Sequence, residues 1–167
     1  VATRSGYGSR SRDIVRALIA MDKYDITVNA VPWGSTPHNA LTADDPKDIA
    51  IVNLIKPWDG TPDIHIHIVV PNEFQPVGKY NIGFTAGIES TVCAGDWIEG
   101  LNRMNLNFVS SNHSKKVFED CEFEKRNKQT NVLESTIKLE KPVEVLFEGA
   151  DTNVYKILDK IPQSDLY

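Results

Sequence analysis

Cysteine is scarce in this chain of 167 residues. Cys93 and Cys121 stand 28 positions apart, and neither belongs to a C-x-x-C pair. With no export signal in view, two reduced, structural thiols are expected rather than a disulfide. Long apolar runs are also missing. None approaches the ~18 residues that a membrane-spanning helix needs. No basic-then-apolar leader opens the sequence, so nothing marks it for secretion and the expected compartment is the cytoplasm. In that compartment the Asn112-His113-Ser114 triplet is never offered to the glycosylation machinery. Positive charge is in deficit, with 18 Lys and Arg against 23 Asp and Glu and a net charge of −5. That balance excludes a general nucleic-acid binder, which needs a cationic surface to displace phosphate counterions. There is no serine-nucleophile elbow, no P-loop lysine and no internal repeat.

What is present is ordinary for a globular domain: 41% hydrophobic and 25% charged residues, with six Phe, five Tyr and three Trp to anchor a core. A single domain of this length buries about 70% of its unfolded surface. Val1-Ala2-Thr3 reads as the tail of a strand feeding a glycine loop at Ser5-Gly6-Tyr7-Gly8-Ser9. Ile14, Val15, Leu18 and Ile19 then form one apolar stripe of a helix over residues 13–21. A strand follows over 24–31, a loop rich in Pro and Gly over 32–37, and a helix over 48–55 opened by Pro46. Residues 63–70 make the clearest strand, and 79–85 another. Asp96 caps a helix running to Met104, a strand spans 106–109, Ser111 caps a helix over 112–120, and a last strand spans 143–147. This alternation predicts an α/β, Rossmann-like, mostly parallel sheet with helices on both faces. Residues 122–141 break it with mixed charge, as a solvated excursion in which Thr136-Ile137-Lys138-Leu139 allows a hairpin or edge strand.

Several residues are candidates for chemistry. Gly6-Tyr7-Gly8-Ser9-Arg10-Ser11 is a G-x-G-x-x-G pattern with Ser in the third glycine place. Such a loop lets backbone approach a phosphate or sugar beside a helix N-terminus. Arg4, Arg10, Arg12 and Arg16 crowd the same stretch, opposed by Asp13, an excess that suits an anion. A tight turn with a solvated basic face is the alternative. A nicotinamide dinucleotide site also wants an acid at the end of the second strand, where Val28-Asn29-Ala30-Val31 has none. His65 and His67 share one face of a strand. They are expected to pack as hydrogen-bonded side chains, because a structural zinc site needs about four ligands. Glu73 and Glu89 each follow a strand, where open α/β sheets place their ligand crevice. Trp33 with His38 offers a stacking platform for a sugar.

Three stretches together carry a family resemblance: Pro62-Asp63-Ile64, then Tyr80-Asn81-Ile82-Gly83-Phe84-Thr85-Ala86-Gly87-Ile88-Glu89, then Trp97-Ile98-Glu99-Gly100-Leu101-Asn102. In this order and spacing they resemble the N-terminal half of group 1 glycosyltransferases of the GT-B fold. The run from Phe108 through Ser111 to Phe118 is similar to that family's strand ending in a serine-capped helix. Phe147-Glu148-Gly149-Ala150-Asp151-Thr152-Asn153-Val154-Tyr155 is similar to its hinge segment. The resemblance covers most of the chain outside residues 122–141. Two departures stand out: Thr85-Ala86-Gly87 lies where many members carry a histidine, and Glu148 replaces the hinge asparagine.

The resemblance implies two facing Rossmann-like domains, of which residues 1–155 are the acceptor-side one and 156–167 begin the linker. The donor-gripping domain then lies outside the chain. It implies transfer of a hexose from a nucleotide-sugar, which is a substrate and not a cofactor, to a hydroxyl with retained anomeric configuration. Gly6, Gly8 and Arg10 would serve the donor phosphates. Glu89 would be the catalytic carboxylate, and Trp33, His38 and Glu73 would contact the acceptor. No metal is called for. The fragment alone is expected to be inactive. A non-catalytic carbohydrate-binding or structural module is the alternative.

Overall fold

A computed structural model describes residues 1–152 and 155–157. Helix α1 spans Gly6–Met21 and helix α2 Pro46–Val52. Strand β1 (Ile64–Ile68) and a 3-10 turn at Pro71–Glu73 lead into strand β2 (Tyr80–Phe84). Helix α3 (Gly95–Asn102), strand β3 (Leu106–Val109) and helix α4 (Asn112–Asp120) follow. Strands β4 (Glu122–Arg126), β5 (Leu133–Lys138) and β6 (Val143–Val145) complete the order. Four strands form one parallel sheet in the order β1-β2-β3-β6. The α/β class and the parallel sheet flanked by helices are therefore as expected. Among the described residues no helix is long and apolar enough to cross a membrane.

The register aligns His67, Gly83, Asn107 and Val143 across the sheet. This row faces α3 and α4, where Val69, Phe74, Ile98, Leu101, Met104, Val109 and Phe118 make the main core. Buried Asn107 donates from Nδ2 to the Leu101 carbonyl at 3.0 Å, joining β3 to the end of α3. The turn after β1 lies so close to α3 that a Cβ on Gly100 would overlap the Pro71 carbonyl. Arg103 locks the same contact, donating to the carbonyls of Phe74 at 3.0 Å and Asn72 at 2.7 Å. Cys93 and Cys121 are free thiols in this core. Burial, with the Cys121 thiol alongside, pushes Cys93 up to about 12.

A second, smaller cluster of Val15, Val28 and Ile51 joins α1 to α2. Its polar tie is Arg16 to Asp48 at 2.7 Å. Burial alone would raise the Asp48 carboxyl, but the Thr42 N–H and the Arg16 guanidinium hold it below the usual carboxylate range. The opposite face of the sheet is covered more thinly than a fully wrapped one. Ile66, Ile82 and Leu106 are half-buried, while Ile64 and Tyr80 are exposed.

Several expected elements differ. The glycine stretch is not a loop: α1 begins at Gly6 because Ser5 Oγ accepts the Gly8 N–H at 3.0 Å and caps it. Residues 1–3 form no strand, and Ala2 instead accepts from the Ala40 N–H. Of the strand expected over 24–31, only a bridge between Val28 and Ile55 forms. β-branched composition does not hold a strand without a neighbouring ladder. Helix α3 starts before Asp96, which sits inside its first turn while uncapped Ala94 takes the cap position. The charged excursion is an antiparallel β4-β5 hairpin. Phe123 and Ile137 fasten it to the main core. The hinge-like residues Asn153 and Val154, and 158–167 of the expected linker, lie outside the described residues.

His65 and His67 stack with ring centroids 5.4 Å apart, and His67 Nδ1 accepts the Gln75 N–H at 3.1 Å. Among the described residues no cluster of three metal-ligating side chains forms. Burial, with a smaller push from His65, lowers His67 from 6.5 to about 4. The unfolded chain takes up this proton near pH 6.5 and the folded chain only near 4, so protonation favours unfolding in between. Denaturant titrations should show stability falling as the pH drops from 6.5 to 4, and falling again above about pH 9, where unfolding frees the Cys93 thiol to ionise. His67→Phe should make the acid segment shallower, leaving the part that His65, also lowered by burial, contributes. Gly100→Ala should cost about 3 kcal/mol, since the contact is with backbone that cannot turn aside.

Candidate functional site

All four strands of a parallel sheet end on the same side, and their carboxyl ends leave a crevice that no ladder fills. Here that crevice is a cavity of about 470 Å³. Its floor is Ile68, Phe84, Phe108 and Leu146, from or just beyond the ends of the four strands. Its other wall is the first turn of α1, with Gly6, Tyr7 and Arg10, together with Trp33 from the following loop.

Two polar ties hold this wall in place. Tyr7 Oη lies 3.0 Å from Thr85 Oγ1 and also accepts the Ala86 N–H at 3.3 Å. Arg10 donates to the Leu146 carbonyl at 2.8 Å. The Tyr7 and Trp33 rings sit 4.7 Å apart, tilted by 42°. Helix geometry leaves the Gly6 and Tyr7 N–H groups without intrahelical acceptors at the cavity wall. Gly6, Ser9, Arg10 and Asp13 present one side of the first turns of α1 to the cavity, so its wall includes the positive end of the helix dipole together with the Asp13 carboxylate.

A second depression of about 510 Å³ adjoins the first, and Ala86, Ser110 and Glu148 line both. Glu89 and His113 stand on its rim, and His113 Nε2 lies 3.3 Å from the Ser90 carbonyl. Gly87 shapes this side: its φ is +87°, and a Cβ there would overlap the Ser114 side chain. Ser110 Oγ donates to the Ala86 carbonyl at 3.0 Å, joining the loops after β2 and β3.

Gly6, Arg10 and Trp33 thus come together at one cavity, with Glu89 in the adjoining one. Three other candidates do not join them. Gly8 is buried, its N–H taken by Ser5 and the space over its Cα filled by the Thr3 carbonyl. Glu73 is exposed on the turn that packs against α3, because the chain leaves β1 toward that face. His38 is exposed and lines neither cavity. The expected basic patch is dispersed as well. Arg4 pairs with Asn39, Arg12 with the carbonyls of Val1 and Thr3, and Arg16 with Asp48, leaving Arg10 as the cavity's arginine.

Tyr7, Ser110 and His113 are site residues that sequence reasoning did not single out. Thr85 and Ser110 directly follow β2 and β3, so the strand-end rule that picked Glu73 and Glu89 also covered them. No local signal marks Tyr7, whose partner lies 78 positions away.

Set against known proteins, the chain matches no family model, no curated protein and no solved structure.

The two glycines of the first turn make separable demands. Gly8→Ala should destabilise the chain by about 2 kcal/mol through overlap with Thr3. Gly6→Ala, which enters open space, should stay within about 0.5 kcal/mol of the parent in the same urea titration.

Proposed function

We propose that the chain is the acceptor-side, Rossmann-like half of a GT-B-type glycosyltransferase of group 1. In this role it helps move a hexose from a nucleotide-sugar to a hydroxyl with retained anomeric configuration. The observation that carries the proposal is the joining of two unlike depressions at the strand ends. One is walled by the first turns of α1, with Arg10 and Asp13, and by two aromatic rings; the other is rimmed by Glu89, and Glu148 stands between them.

Such a transfer forms a bond between the acceptor oxygen and the anomeric carbon. It breaks the bond from that carbon to the phosphate oxygen, which leaves with the electron pair, and the acceptor's proton passes to the departing diphosphate. Negative charge grows on the phosphate and positive charge on the sugar ring. Arg10 and the Gly6 and Tyr7 N–H groups favour the first, and Glu89 favours the second. Trp33 and Tyr7 supply the acceptor wall. Gly8, Glu73 and His38 have no part in this scheme: Gly8 packs against Thr3, and Glu73 and His38 stand outside both depressions.

A donor-gripping half outside the 167 residues completes the machinery, and residues 1–167 alone should therefore release no nucleoside diphosphate. In the complete protein, Glu89→Gln should lower kcat/KM about 100-fold, measured as diphosphate release from a panel of nucleotide-hexoses. Turnover unchanged in that variant, or release by residues 1–167 unaided, would contradict the proposal. Sugar binding with no release by the complete protein would favour a non-catalytic module.

A further inference from the structure

The first cavity, of about 470 Å³, is lined by four aromatic rings, more apolar surface than a sugar needs. Phe84 and Phe108 stack at 4.9 Å on the sheet side, and Tyr7 and Trp33 at 4.7 Å on the α1 side. Ile68 and Leu146 fill the space beside them. Polar groups line the rest: Ser5, Ser9, Arg10 and Asp13 along α1, Thr85 beside Tyr7, and Ser110 and Glu148 at the edge shared with the Glu89 depression. A hexose carries hydroxyls on nearly every carbon. Pressed against the ring faces, those hydroxyls would lose water without gaining an acceptor there. An aromatic ring carries no such penalty, and it gains offset or edge-to-face contacts with the walls. The volume of about 470 Å³ is ample for one or two fused rings.

We infer that the aromatic part of this cavity is an aryl-binding subsite, so that the acceptor hydroxyl is carried on an aromatic body rather than on a free sugar. With the ring against the Trp33 wall and the Phe108 floor, its hydroxyl is directed to the shared edge, where Ser110 and Glu148 stand. That edge is where the hexose would be delivered in the proposed transfer. The role as an acceptor site rests on the glycosyltransferase proposal, whereas the ring subsite does not.

Calorimetric titration of residues 1–167 separates the two. 2-Naphthol should bind, and glucose should give no saturable heat. Trp33→Ala should weaken naphthol binding at least roughly tenfold, about 1.4 kcal/mol. His38→Ala, outside the cavity, should leave it unchanged. If the Trp33 variant unfolds, Phe108→Leu repeats the test with an apolar side chain kept in the sheet. Glucose binding as tightly as naphthol, or naphthol indifferent to both cavity variants, would overturn the subsite. In the complete protein, faster transfer to free hexoses than to aryl alcohols would overturn the acceptor assignment and leave the glycosyltransferase proposal standing. Naphthol binding with no transfer to any acceptor would overturn that proposal and leave the ring subsite in place.

Discussion

The hydrogen bond between Tyr7 Oη and Thr85 Oγ1 holds together what two separate cores would otherwise leave loosely joined. One core packs α3 and α4 on the sheet, and the other packs α1 on α2. Between them stand the Tyr7 contacts and the Arg10 bond to the Leu146 carbonyl, all made at the carboxyl ends of the strands. Each such bond is worth only about 1 kcal/mol net. The α1 wall of the cavity is therefore held by a few weak ties and by Trp33 packed on the main core, the kind of region from which ligand-binding sites are ordinarily drawn.

The sheet and its two central helices were legible because their local signals agree with their packing. Leu106 to Val109 alternates between the two faces, and Ser111 both caps α4 and ends the strand's reach. The amino-terminal part was less legible, because its structure depends on partners remote in sequence. Ser5 turns a glycine stretch that looks like a loop into a helical first turn. The β-branched segment around Val28 finds only Ile55 to pair with and stays irregular. In the hairpin, alternation marked the second strand, while the mixed charge of the first hid its apolar anchor, Phe123.

The site divides along the same line. Spacing indicated that Gly6, Arg10, Trp33 and Glu89 belong near strand ends, and they line two joined depressions. It could not tell the open side of a backbone from the closed one, and Gly8 lies on the closed side under Thr3. Nor could it tell to which face a chain leaves its strand. The loop after β2 runs to the cavity with Glu89, whereas the loop after β1 carries Glu73 to α3. Charge counted along the sequence misled for a related reason. Three of the four clustered arginines are bonded away from the cavity, and the fourth, Arg10, stands in it while donating to the Leu146 carbonyl.

Everything proposed for the cavity requires the first turn of α1 to stand over the strand ends. A nuclear Overhauser spectrum of the isotope-labelled chain tests this directly. Cross-peaks between the Tyr7 ring and the Thr85 methyl, and between the Tyr7 and Trp33 rings, are the result this account requires. A Tyr7 ring with cross-peaks only to its own helix and none to Thr85 or Trp33 would contradict it, and the cavity with it.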